Sequence, residues 1–584
     1  MTEIIWRQWD DEAFAEARAL DRPILLDIGA VWCHWCHVMD RGIEGDPLHT
    51  GTYNDPRVVE LVTNRYVPIK VDTDRRPDIN ARYNRGGWPS TVFLTPAGEP
   101  IYGETYVTPE RMVSLLAYVA DSYRDRKEAM TADIAARVRE NARPGPPVLS
   151  AASLPAGAEL KASAAIVAAY DEEFGGFGVE PKFPHVQALR FALDRAVFAG
   201  DEAMANILIR TLKAMAGGGM YDMYAGGFFR YSTTRDWTIP HFEKMLEDNA
   251  QLSRLCYLAG CLLGDADLVK IGDDVHRWLF EVMRDPQTAC FAGSQDADRE
   301  LEYYGLPLDE RAKLPTPFID RTLYADWNAL MVSSLCARYR AGADAAILDA
   351  AVTAFDFVER RILPRHYFAD GSPGGPKLLL MDYARSVEAA VDLFQVTGDV
   401  AYLERGIAIA DEILANLTEP SGAFGDVPVS EAAQGPMGRA NVDFGQNSEA
   451  ALALVLLAKA GAGDRYRDAA IGALSVFAGD YERWGLFSTG YALAAAEIGR
   501  PAARVVLVGD IDDPRMAPLR SAAMISPAAS RIEMGGASDG IDYPPDPSGA
   551  PLAYTCVGPE CLAPARTAEE LAYRLMDASR RERV

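Results

Sequence analysis

Ile24-Leu25-Leu26-Asp27-Ile28, running within a few residues into Cys33-His34-Trp35-Cys36, decides how the first part of this chain folds. A short apolar run bounded by Pro23 reads as a buried strand, and the cysteine pair follows where a helix should begin. Upstream, Ala13, Phe14, Ala17 and Leu20 recur at helical spacing behind an Asp cap. Downstream, Asp55-Pro56 opens a helix and Tyr66 to Val71 reads as a strand. Gly86-Gly87-Trp88-Pro89 precedes the strand Thr91–Leu94, Pro96-Ala97-Gly98 turns into Ile101-Tyr102, and Thr108-Pro109-Glu110 opens a long helix to about Arg126. The order is βαβα, an antiparallel pair, then α.

That order resembles the thioredoxin fold. Trp32 immediately precedes Cys33, Asp27 stands where thioredoxins keep a buried acid, and Pro89 stands where they place a cis-proline. On this reading Cys33 is the nucleophile, its thiolate favoured by a helix N-terminus, and Cys36 is the resolving thiol. Asp27 exchanges the proton of Cys36, His34 as a cation favours the Cys33 thiolate, and Pro89 shapes the docking loop. Other readings stay open. C-x-x-C-H is also the c-type haem attachment pattern, although a strand running into it is the wrong context. Zinc held by Cys33, His34, Cys36 and His37 would require neighbours on one helix turn to point at one ion. A thioredoxin fold retained only as a scaffold is the third.

The chain has 584 residues, a hydrophobic fraction of 49% and a formal net charge of -26. That length implies more than one core. The acidic balance argues against nucleic acid or an anionic membrane as partner. The start, MTEIIWRQWDDEAF, lacks the basic and apolar regions of a secretory signal, and no long apolar run suggests a membrane span; a cytoplasmic location is expected. Cys256, Cys261, Cys290 and Cys336 read as small buried hydrophobes.

After a Pro/Ala/Gly-rich linker at 141–157, the texture changes to Ala/Leu-rich amphipathic helices. A helix–turn–helix phrase recurs at Gly200-Asp201, Gly264-Asp265, Gly342-Ala343-Asp344, Gly398-Asp399 and Gly463-Asp464. Each second helix leads to a loop with glycine and aromatics, such as Gly226-Gly227-Phe228-Phe229, Cys290-Phe291-Ala292-Gly293, Ala423-Phe424-Gly425 or Gly485-Leu486-Phe487. Roughly twelve helices over 158–499 can close into an (α/α)6 toroid, with an open solenoid as the alternative.

The long loops gather the candidate binding residues. Asp222, Arg230, Tyr231, Trp237, His241, Glu243, Lys244, Asp248 and Asn249 crowd one loop and helix start. Asp296 and Asp298, Asp326-Trp327-Asn328, Asp382-Tyr383 and Gln446-Asn447 enter at matching points of later hairpins. Such loops suit a sugar-like small molecule. The plainer reading is that Asp and Asn cap helices. Beyond 500, Val505–Gly509, Arg531–Met534 and Leu552–Cys556 read as strands and Thr567 caps a last helix, a small α/β appendage over 500–584. Cys556 and Cys561 form a C-x4-C pair that can be redox-active, half a metal site or two separate thiols.

CHWCHVM, GGWPSTVFLTP, GGFGVEPKFP, GGFFRYS, PHFEKMLEDNA, DAD and DWNALM occur in this order. Together with the last cysteine pair, they resemble the family of spermatogenesis-associated thioredoxin-domain proteins over essentially the whole chain. The resemblance implies a thioredoxin-like domain (1–140) fused to a six-hairpin, glycosidase-like toroid related to N-acylglucosamine epimerases (158–499). Two departures stand out: the stretch from Asp298 to Asp326 is short, and Phe444-Gly445-Gln446 stands where the family tends to have Pro-Ser-Gly. Epimerases of this fold need two opposed acid/base groups, and the toroid motifs supply one histidine, His241; a hydrolase needs two positioned carboxylates, for which Glu243, Asp296 and Asp298 are candidates. The expectation is a thiol–disulfide redox module joined to a carbohydrate-binding or carbohydrate-active toroid. Its expected partners are a protein thiol or disulfide and a sugar-like molecule, with no cofactor and no metal. The alternatives are a carbohydrate-active enzyme with a scaffold thioredoxin domain, and a non-catalytic binding or chaperone-like protein.

Overall fold

The computed structural model describes residues 3–43, 45–46, 49–141, 154–297, 302–430, 433–535 and 541–580. Most of the linker read at 141–157, and Asp298, lie outside them. The chain divides into two compact units. The first is Met1–Pro147 with Gly374–Lys377 and Gly425–Asn441; the second is Val148–Pro373 with Leu378–Phe424 and Val442–Val584. Residues 425–441 fall inside the range read as toroid, yet they belong to the first unit. No described helix is long and apolar enough to cross a membrane.

The first unit runs α1 (Asp11–Leu20), β1 (Ile24–Gly29), α2 (His34–Arg41), α3 (Pro56–Arg65), β2 (Val67–Asp72), α4 (Pro77–Tyr83), β3 (Ser90–Leu94), β4 (Pro100–Glu104) and α5 (Pro109–Asn141). The sheet order is β2-β1-β3-β4. β1 lies parallel to β2 and antiparallel to β3, which is antiparallel to β4. Every residue of β1 is buried, so this strand packs on both faces. Leu25 joins Met39, Val58, Val62, Phe93 and Leu116 on one side, while Ile24, Leu26 and Ile28 join Phe14, Ala17, Ile69 and Tyr83 on the other. Strand side chains alternate, so Asp27 shares the face of Leu25 and Gly29, the face that α2 covers. The segment 425–441 adds Met437 to the second core and sets Asp426 against Arg82 at 2.5 and 2.9 Å.

In the second unit the helices are α6 (Ala158–Ala169), α7 (Val186–Ala199), α8 (Glu202–Gly217), α9 (Leu246–Leu263), α10 (Ala266–Trp278), the one-turn α11 (Leu308–Arg311), α12 (Ala325–Gly342), α13 (Ala345–Phe357), α14 (Leu380–Thr397), α15 (Val400–Asn416), α16 (Phe444–Leu457), α17 (Asp464–Ser475) and α18 (Thr489–Gly499). α7, α9, α12, α14, α16 and α18 each pack on the next, and α18 returns to α7. The ring therefore closes, and the open solenoid is excluded. α8, α10, α13, α15 and α17 lie outside their hairpin partners, and α6 pairs with α18 to complete the sixth hairpin. Inner helices have neighbours on all sides, which is why α12 and α14 bury residues all round.

The recurring turns work as the phrase implies in four cases. Gly200, Gly264, Ala343 and Gly398 take left-handed φ of 65, 73, 53 and 74°. Asp201, Asp265, Asp344 and Asp399 then cap α8, α10, α13 and α15. The fifth differs: Gly463 takes the cap position and Asp464 is already helical.

Short strands precede the inner helices. β5 (Tyr231–Ser232) pairs with β6 (Pro240–His241). β7 (Lys244–Met245), β8 (Ser294–Gln295) and β9 (Ile319–Asp320) form one small sheet. β10 (Leu323–Tyr324), β11 (Tyr367–Ala369) and β12 (Ser372–Gly374) form another. Beyond the ring come β13 (Ala503–Val508), α19 (Met516–Ile525), β14 (Ala529–Met534), β15 (Leu552–Val557), β16 (Glu560–Cys561) and α20 (Ala568–Ser579). Their sheet order is β14-β13-β15-β16, with β13 parallel to β14, antiparallel to β15, and β15 antiparallel to β16. This is the strand order and direction of the N-terminal sheet, so the small appendage repeats the thioredoxin-type core. Its β13–α19 connection holds Asp510, Asp512 and Asp513 where the first sheet carries its cysteines.

Candidate functional site

At the start of α2, Cys33 occupies the N-cap position, and its sulfur accepts from the Cys36 amide at 3.1 Å. Cys33 and Cys36 form a disulfide with Cα atoms 5.2 Å apart. Both are nearly buried, whereas His34 and Trp35 are exposed. A side chain at Gly29 would come within 3.3 Å of Cys36 Sγ, so the sulfur lies directly over β1. Asp27 lies two residues earlier on the same face of β1 and is buried. Burial pushes its carboxyl above the ordinary range, with Lys70 pulling the other way. Lys70 Nζ stands 3.3 Å from Asp27 and 2.6 Å from Asp40, and Tyr53 donates to Asp27 at 3.1 Å.

Trp88-Pro89 is cis. The Trp32 and Trp88 rings meet edge-on at 5.6 Å, which brings the loop before Cys33 to the loop carrying Pro89. Trp32 also donates to Asp74 at 2.6 Å. Outside, Trp35 lies within 5.4–5.6 Å of the rings of His34, His49 and Tyr106. The arrangement offers a helix-capped sulfur, a resolving sulfur, a buried proton carrier and an exposed aromatic rim. Sequence motifs did not signal Lys70, Tyr53 or Asp74, which lie in separate elements.

The toroid residues divide into two groups. Asp222, Trp237, Asn249 and Asn328, read as binding residues, hold the frame instead. Asp222 is fully buried against Lys244 at 2.7 Å and Arg311 at 2.7 and 2.9 Å. Burial opposes its ionisation, but Arg311 and Lys244 outweigh this and hold it down to about 2. Trp237 is buried and donates to the carbonyls of Phe174 and Gly175 at 3.2 Å. Asn249 accepts from the Phe228 amide at 2.6 Å and donates to the carbonyls of Phe228 and Met245 at 2.9 Å. Asn328 clamps Phe291, and Asn447 clamps Phe424, by the same three bonds. The Gly/aromatic loops and the helix-start asparagines are thus one repeated structural device. Asp296 accepts from the amide of Ala297, and its carbonyl accepts from Tyr304.

The second group gathers at the first two turns of the inner helices. Arg385 on α14 reaches Glu247 of α9 at 2.9 Å, Glu449 of α16 at 3.3 Å and Asp326 of α12 at 3.7 Å. It thereby ties together four helices. Burial, then the nearby Asp382, pushes Asp326 up to about 7. Burial and Glu247 push Asp248 to about 7, with Arg230 opposing them. The Trp327 ring packs 4.5 Å from that of Tyr324. Buried His366 sits 3.0 Å from Asp382 through Nδ1. Donor atoms of Asp326, His366 and Asp382 lie within 4.8 Å of one another, a set able to hold a cation, with Arg385 beside it.

A second histidine–carboxylate pair stands at Glu243 and His241 Nδ1, in close contact. Tyr231 stacks between His241 and Phe183, 4.8 Å from each. Glu243 is buried, and its Oε1 has no partner among the described residues. His366 adds a further histidine–carboxylate pair to that of the one motif histidine, His241. It lies in no motif, in the segment just before β11, and no spacing in the sequence signalled it.

Residues 1–141 match a family model described as "Thioredox_DsbH: Protein of unknown function, DUF255". Human spermatogenesis-associated protein 20 is 31% identical over 356 residues, covering 54% of this chain and 43% of that protein. The chain thus spans less than half the length of that relative. Thiol:disulfide interchange protein DsbD 1 of Pseudomonas aeruginosa is 33% identical over 93 residues, 15% of this chain and 14% of that one. Among solved structures, cellobiose 2-epimerase from Bacillus thermoamylovorans is 12% identical with a TM-score of 0.44, covering 56% of this chain and 85% of that chain.

Proposed function

We propose, for a chain that belongs to the family of spermatogenesis-associated thioredoxin-domain proteins, that the N-terminal unit carries out thiol–disulfide exchange at Cys33 and Cys36. The observation that carries this reading is Cys33 capping α2 with the Cys36 sulfur seated over Gly29, two residues along the same face of β1 from buried Asp27. In the reduced chain, the Cys33 thiolate attacks a sulfur of a substrate disulfide and expels its other sulfur. Cys36, its proton accepted by Asp27, then attacks Cys33 Sγ and releases the substrate's second thiol. Two electrons pass to the substrate, Cys33–Cys36 closes, and an external dithiol reopens it. The small span matched to the thiol:disulfide interchange protein supports the same reading. The partner is a protein disulfide or thiol, met by exposed Trp35 with half-buried Tyr106 beside it.

Asp27→Asn tests the proton step. Exchange by the variant is expected to lose its pH dependence in the second half-reaction and to release substrate about tenfold more slowly. A stability effect accompanies this. The native Asp27 pKa lies above its unfolded value, so the folded unit binds the extra proton. The stabilisation this gives is complete below about pH 4 and is lost as pH rises through the native value. Asp27→Asn is therefore expected to raise the unit's melting temperature at pH 7 and not at pH 3.5. An unchanged pH–rate profile would remove Asp27 from the mechanism.

A second activity is supported by the lumen of the toroid. Three carboxylates share Arg385, and the His366–Asp382 pair adds a proton acceptor beside Asp326. This suits an uncharged polyhydroxyl ligand of sugar type, for which such groups offer paired donors and acceptors. Calorimetric titration of the full chain with a panel of mono- and disaccharides is expected to find a binder. Asp326→Asn is expected to weaken that binder about tenfold, the worth of one hydrogen bond. A panel with no binder counts against the reading.

A further inference from the structure

We propose that Cys556–Cys561 is a second thiol–disulfide exchange site, one that accepts electrons from a dithiol donor. The two cysteines face each other in register across β15 and β16, and they are disulfide-bonded. β16 is the outermost strand of its sheet and only two residues long. The bridge is asymmetric: Cys561 is exposed, whereas Cys556 is 1% exposed. An attacking thiolate can reach only the Cys561 sulfur.

The buried sulfur is equipped as a leaving group. The Tyr543 hydroxyl lies 3.8 Å from Cys556 Sγ. Arg504 donates to the Tyr543 oxygen, and that hydroxyl lies within donating distance of the sulfur. Negative charge arriving on Cys556 therefore meets a hydroxyl polarised by a guanidinium, and exchange is faster when the departing thiolate is stabilised. Glu533, 3.9 Å from Arg504, takes part of that positive charge, and Arg531 pairs with the same carboxylate at 2.5 Å. As a staple the bridge is poor. It closes a six-residue hairpin already joined by strand pairing, where loop-closure entropy is smallest.

The reaction balances as follows. A donor thiolate attacks Cys561 Sγ; the Cys556–Cys561 bond breaks, and its electron pair goes to Cys556 as thiolate. The donor's second thiol attacks the donor sulfur of the mixed disulfide and releases Cys561. The donor leaves as a disulfide, the pair holds two electrons, and solvent supplies the protons.

The test uses the full chain carrying Cys33→Ser and Cys36→Ser, so that signal from the N-terminal pair is absent and its failure cannot be confused with this one. The folded protein is treated with dithiothreitol or with reduced glutathione, quenched in acid, alkylated and mapped by mass spectrometry. Dithiothreitol is expected to open the pair reversibly with the far-UV spectrum unchanged, and glutathione to be captured on Cys561. Tyr543→Phe is expected to slow opening about tenfold, and Arg504→Gln to slow it in the same direction if Tyr543→Phe does not fold. A pair that stays closed until denaturant is added, capture on Cys556, or opening rates indifferent to these substitutions would overturn the proposal.

Discussion

Cys33→Ser is expected to abolish disulfide reduction by the full chain, a loss of at least about 10³-fold, while Cys36→Ser converts the protein into a trap for its substrate. The asymmetry follows from position. Cys33 caps α2, where unpaired amides and the helix dipole favour a thiolate. Cys36 lies one turn inside, over β1, where it is bonded to Cys33. Removing the cap sulfur removes the attack itself. Removing the inner sulfur leaves attack intact but no partner to resolve it, so a mixed disulfide accumulates on Cys33. A coupled assay with a disulfide-bonded protein and an external dithiol measures the first. Non-reducing electrophoresis with peptide mapping measures the second. Cys33→Ser at wild-type rate would make the domain a scaffold.

The largest stability effect is expected away from any cysteine. Asp222→Ala should destabilise the helical ring by about 3–5 kcal/mol, because it strands two buried cations. Lys244 has no exposed surface and Arg311 almost none. Lys244 Nζ stands 4.8 Å over the Trp278 ring, and burial already lowers its ammonium to about 8. Asp222 also accepts from the amides of Tyr224 and Ala225 at 3.1 Å. A helix cap alone costs about 1 kcal/mol when lost. Urea titration followed by tryptophan fluorescence separates these magnitudes. A change within 1 kcal/mol would return Asp222 to the binding residues.

The local devices of the fold were legible in the sequence because each rests on neighbouring residues. Pro23 and the apolar run placed β1, four of the five turns placed aspartate caps, and the six-hairpin count matched the closed ring. The meaning of Asp222 and Asn249 was not legible. Helix-start Asp and Asn look alike whether they bind a ligand or clamp a loop, and only the third dimension puts Asn249 on Phe228 and Asp222 on Arg311, 89 residues away. His366 and Arg385 escaped notice for the converse reason, since neither sits in a repeated phrase and their partners come from other hairpins. The second thioredoxin-type sheet was hidden as well. Three of its four strands were readable singly, but strand order is a property of pairing across distant residues.

The most direct measurement is the titration of Cys33 in the reduced full chain, followed by thiolate absorbance or the pH dependence of alkylation, with Cys33→Ser as the blank. A thiolate that forms well below the ordinary thiol value of about 8.5 is the result expected of a sulfur at the cap of α2. A Cys33 that titrates near about 8.5 would contradict the claim that this site is built for exchange.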